Sequence, residues 1–127
     1  MIEQEMIDLA KRYFNAVDRE DLDAVIATLT EDCVFTVETH GVRLQGREAI
    51  ENMMRRLWAN HAAVRHLDFV FVPAPDHDRL AVRFTVINTR HDGGLTHKSN
   101  CNFFEIRDGR FDRVAVYMAG ENTLASD

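Results

Sequence analysis

Ile2, Met6, Leu9, Ala10, Tyr13 and Val17 fall on one face at helical spacing, which predicts an amphipathic first helix. The charged run Asp18-Arg19-Glu20-Asp21 breaks that face, and Asp21 is placed to cap a second short helix carrying Leu22, Val25, Ile26 and Leu29. Thr30-Glu31-Asp32 ends it, and residues 33–38 are rich in β-formers. After Gly46, Ile50, Met53, Met54 and Leu57 repeat at i, i+3, i+4 and i+7, so a third helix follows. From Val64 onward the pattern is that of strands. Strands are predicted over 64–72, closed by Pro73-Ala74-Pro75-Asp76, and over 80–90, ended by Asp92-Gly93-Gly94. Two more cover 95–107 and 110–118, joined through Asp108-Gly109. Helices grouped before hairpin-linked strands make an α+β class: three N-terminal helices on one face of a curved antiparallel sheet.

Phe103 and Phe104 are adjacent and must point to opposite faces of that sheet. Both faces therefore carry apolar bulk. One lies under the helices, and the other is covered if the protein forms a homodimer through the outer sheet face. Strand alternation places Asn100, Asn102, Phe104 and Ile106 inward together, with Val82, Phe84, Val86 and Asn88, and with Val114, Val116 and Met118. On the strand from Val64, His66 is expected to share its face with Asp68, Val70 and Val72. Phe35, Val37, Met54 and Trp58 complete an expected lining of apolar residues with a few polar groups, the usual form of a small-molecule site.

Length and charge narrow the function. All 127 residues fit a single domain, and hydrophobic residues at 46% supply an ordinary core. With 15 basic against 21 acidic residues, the net charge of −6 argues against nucleic acid as a partner. No apolar run approaches the ~20 residues of a membrane span, and charges interrupt the first fourteen positions, unlike a signal peptide; the cytoplasm is the expected setting. Cys33 and Cys101 lie in no metal or redox spacing and read as two reduced thiols. His40, His61, His77, His91 and His97 form no ligand motif, and no glycine-rich phosphate loop is present, so neither metal nor cofactor is implied.

The helix–sheet order, with the strings AVDREDLDAVIATLTEDCVF and GREAI, resembles the nuclear-transport-factor-two-like superfamily, which includes SnoaL-like polyketide cyclases, ketosteroid isomerases and scytalone dehydratase. The resemblance spans the chain from the first helix to Tyr117 and implies a cone with an internal pocket. Within RYFNAVD, Tyr13 matches the isomerase tyrosine that donates to an oxyanion, and Asn102 falls at that family's second donor. The isomerase base falls on Val37, which cannot take a proton, so a standard ketosteroid isomerase is rejected. The dehydratase branch is the better match: Asp18 resembles its aspartate, and His66 in VRHLDF resembles its catalytic histidine at the start of a strand. The tyrosine beside that aspartate is Val17 here, and the second histidine has no match, since Arg90 and His91 straddle its place.

Asp18 would orient His66, His66 would act as acid and base, and Tyr13 with Asn102 would polarise a carbonyl. The implied activity is a cofactor-free dehydration, isomerisation or cyclisation of a small hydrophobic carbonyl compound. Each residue also has an ordinary use: Asp18 as a helix terminator, His66 and Asn102 as satisfied polar groups, Tyr13 as a core residue. The competing functions are a binding module for an apolar molecule and a dimeric interaction domain.

Overall fold

The computed structural model describes residues 1–124. Helix α1 spans Glu3–Asp18, α2 Leu22–Ala27 and α3 Arg47–Asn60. Strands follow as β1 Leu29–Val37, β2 Val42–Gln45, β3 Ala63–Ala74, β4 Arg79–Thr89, β5 Leu95–Arg107 and β6 Arg110–Tyr117. At the start of α1 the Glu5 carboxylate accepts from the Ile2 N–H at 2.8 Å. Asp21 caps α2 as its position predicts, accepting from the Ala24 N–H at 3.1 Å. Leu29, expected on α2, instead opens β1 beside Phe111, because the helix has already stopped at the Thr28 cap.

The six strands form one sheet in the order β2-β1-β6-β5-β4-β3. β3 to β6 run as the expected hairpin-linked antiparallel strands. The pair β1–β6 differs: it is parallel, so the sheet is mixed. Parallel neighbours need a long crossover, and here that crossover is β2, α3, β3, β4 and β5. The short β2 escaped the sequence pattern, since Val42 and Leu44 alone carry its alternation. Pro73 lies inside β3 without cost, because β3 is an edge strand that needs no donor on its outer side.

The helices cover the inner face of the sheet. Met6, Leu9, Ala10, Tyr13, Phe14 and Val17 of α1 are buried, as are Ile50, Met53, Met54 and Leu57 of α3. Phe104 and Phe111 stack at 4.1 Å between ring centroids, with Tyr13 edge-on to both. Phe104 is fully buried and Phe103 exposed, the two-faced arrangement their adjacency requires.

One strand departs from its expected parity. Asp68 takes a left-handed backbone (φ 57°), and the β3–β4 register shifts between Leu67 and Val70. This bulge inserts an extra residue, so Phe69 and Phe71 turn inward while Val70 and Val72 face outward and are exposed. His66 therefore does not share its face with Val70 and Val72. Further register shifts in β1 and between β5 and β6 add to the sheet's curvature.

Candidate active site

Asp18 is the last residue of α1, where the exposed helix carbonyls favour a cation and disfavour a carboxylate. Its placement is compensated across the fold. Asp18 Oδ1 lies 2.5 Å from His66 Nδ1, and Asp18 Oδ2 accepts from the His66 backbone N–H at 2.8 Å. The two contacts join the end of a helix to the start of an edge strand, 48 positions apart. The Nδ1 contact leaves Nε2 as the imidazole's free nitrogen, with no protein partner among the described residues. Phe14 and Phe84 flank the ring at 5.0 and 5.3 Å between centroids and hold it on the cavity wall.

The cavity beside His66 measures about 50 Å³. Tyr13, Phe14, His66, Phe84 and Asn102 line one part; Val86, Asn88, Asn100 and Met118 continue it, and Thr123 and Leu124 close over it. Of the expected lining, Phe35, Met54, Phe84, Val86, Asn88, Asn100, Val116 and Met118 are present. Val37 and Trp58 are not. Val37 faces a separate groove between β2 and α3, because it lies at the far end of β1. The Trp58 indole instead donates to the Val17 carbonyl at 3.0 Å. It thereby satisfies one of the last carbonyls of α1, next to Asp18. Phe14, Val17, Leu57 and Val64 also reach the cavity; the helical pattern marks Val17 and Leu57 as core without telling which core residues meet a void.

Tyr13 is buried, and its hydroxyl has no hydrogen-bond partner among the described residues. Burial, then the charges of Cys33 and Asp18, pushes its phenol above the ordinary range, so it remains a donor at any physiological pH. Among the described residues, Asn102 is buried with its Oδ1 unpaired, and Asn88 is buried with both amide atoms unpaired. Asn100 accepts from the Ala119 N–H at 3.0 Å. An unpaired buried polar atom costs ~1–3 kcal/mol, so these three atoms on the cavity lining favour a polar partner, whether water or a ligand. No cluster of three or more His, Cys, Asp or Glu is positioned to hold a metal among the described residues. No helix among them is long and apolar enough to cross a membrane.

A helix-covered, curved and unclosed sheet with a polar-flecked apolar cavity defines a nuclear-transport-factor-two-like cone. The SnoaL-like domain matches residues 10–114, and the chain belongs to that family. It is similar to a provisionally named polyketide cyclase from Xanthomonas campestris, at 26% identity and a TM-score of 0.83 over 90% of each chain. A second such protein, from Silicibacter, is 25% identical with a TM-score of 0.81, covering 94% of this chain and 92% of the other. TerC, co-crystallised with polyporic acid, shares the fold at 16% identity and a TM-score of 0.79, covering 91% and 92% of the two chains. No curated protein matches the chain.

Proposed function

We propose that this protein is a cofactor-free lyase or isomerase acting on a small hydrophobic carbonyl compound by Asp18–His66 acid–base chemistry. The observation that carries the reading is the two-point Asp18–His66 contact, whose free imidazole nitrogen stands at an apolar cavity. His66 Nε2 takes a proton from the carbon next to the carbonyl, and the C–H electron pair moves into the carbonyl to form an enolate. The Tyr13 hydroxyl and the Asn102 amide N–H hydrogen-bond to the enolate oxygen. The imidazolium then returns its proton, either to a departing β-hydroxyl, which leaves as water, or to another carbon. Asp18 steadies the imidazolium throughout.

Small ligands also occupy relatives of the same fold, polyporic acid in TerC among them. The working form is a cytoplasmic homodimer joined through the outer sheet face.

The test uses ketone α-proton exchange, which needs only the base and the carbonyl donors. 2-Tetralone in deuterated buffer is followed by proton NMR with wild-type protein, His66→Ala and Asp18→Asn. Wild-type protein is expected to accelerate exchange, and His66→Ala to lose about 10²–10⁴-fold of it. Exchange that persists in both variants rejects the dyad. A site that binds the ketone without accelerating exchange is a binding module.

A further inference from the structure

Lys98 lies on the inner face of β5, two residues from Asn100, and is only 6% exposed. A buried ammonium requires a compensating partner. Here the partner is the segment after β6: Lys98 Nζ donates to the Glu121 carbonyl, and the Ala119 N–H donates to Asn100 two residues away. That segment continues into Thr123 and Leu124, which close over the cavity. The strap is thus held by two polar side chains of the inner sheet face, and one of them is a cation.

The register places Lys98 close to the chemistry. His66 pairs with Val86, and Val86 pairs with Lys98, so the three share one cross-strand row. Two strand spacings separate His66 from Lys98, roughly 10 Å between backbones. Asn88, the amide with both atoms unpaired, is two residues along β4 from Val86 and hence a diagonal neighbour of Lys98. Among the described residues, a cation whose partner is the strap therefore stands beside an amide whose two polar atoms have no partner. With the strap in place the cavity is about 50 Å³, room for a few waters but below the ~300 Å³ of an ordinary small-molecule site. An organic ligand larger than that space meets Thr123 and Leu124, and Glu121, whose carbonyl accepts from Lys98, lies two residues before Thr123.

We infer that Lys98 and Asn88 form an anion subsite at the strap side of the cavity, and that the ligand carries a carboxylate that replaces the Glu121 carbonyl on Lys98. The inference deepens the proposed reaction, on which its choice of cavity rests, by naming the substrate class: a carboxylate-bearing carbonyl compound, small enough to reach His66 and Lys98 together. Ligand binding and strap release are then one exchange, since carboxylate and strap compete for one ammonium.

Calorimetric titration of 2-naphthoate against its methyl ester at fixed ionic strength tests this. Wild-type protein should prefer the acid by about tenfold or more, the factor a charge-assisted hydrogen bond supplies. Lys98→Met should abolish the preference, with ester affinity unchanged or improved. Asn88→Leu should reduce it and serves as the second probe if Lys98→Met does not fold. His66→Ala should keep it. Equal affinity for acid and ester, binding of neither at millimolar concentration, or a preference that survives both the Lys98 and Asn88 changes overturns the subsite. If 2-tetralone exchange fails while the acid preference and its loss in Lys98→Met stand, the reaction is rejected and the subsite remains.

Discussion

Cys33 and Tyr13 show how burial sets chemistry one side chain at a time. Cys33 has no exposed surface, and burial, reinforced by the charge of Asp112, pushes its thiol up to about 12. Tyr13 is shifted in the same direction. Both groups stay protonated in the folded chain at pH values where the unfolded chain has begun to ionise. Stability from them is intact below the unfolded thiol's value of roughly 8.5 and declines as pH rises from there toward the folded value. Urea melts across pH 8 to 11 should therefore show falling stability, and Cys33→Ala should flatten part of the slope. Iodoacetamide at pH 8 should leave Cys33 unlabelled in native protein and label it in urea; rapid native labelling would contradict a buried, protonated thiol.

At the scale of elements, the bulge in β3 decides what the edge strand presents. His66 lies before it, on the inner face, and Phe69 and Phe71 lie after it, also inward. A regular strand would have sent Val70 and Val72 inward and exposed the two phenylalanines. Phe69 packs at 5.0 Å from Phe14, the ring that also flanks His66, so the bulge helps support the dyad. Asp68 takes the positive φ at the bulge, which an aspartate tolerates better than most residues and glycine adopts freely. Asp68→Val should destabilise the fold by about 1–2 kcal/mol in urea titration, while Asp68→Gly should be close to neutral. Equal losses in both would mean that the aspartate side chain matters and its backbone does not.

At the scale of the whole molecule, the outer sheet face exposes a group of large apolar side chains. Register aligns Val72, Ala81, Phe103 and Ala115 in one row, with Cys101 and Tyr117 paired in the next. Val72, Phe103 and Tyr117 are exposed together on this face. A second copy laid across it would bury that row by a two-fold arrangement. Equilibrium sedimentation should give a dimer at tens of micromolar for wild-type protein and a monomer of unchanged melting temperature for Phe103→Lys. A wild-type monomer would remove the dimer from the proposal.

Local pattern alone was enough for the helices, for β4 to β6 and for the inward set from Val82 to Asn102. Helical and strand periods are properties of the backbone that each short segment carries by itself. The resemblance pointed to Asp18 and His66, and in the structure Asp18 Oδ1 and His66 Nδ1 lie 2.5 Å apart. Tertiary structure decided the rest. The parity of β3 depends on one extra residue relative to its partner strand, and nothing within β3 reveals the length of its partner's register. The parallel β1–β6 pair depends on where the chain returns after five other helices and strands. Trp58 left the cavity for the Val17 carbonyl, and Lys98 found its partner in the strap, because a buried donor goes to whichever acceptor the fold brings within reach. Periodicity says which side of an element is buried; what a buried polar group meets there is settled only when distant segments come together.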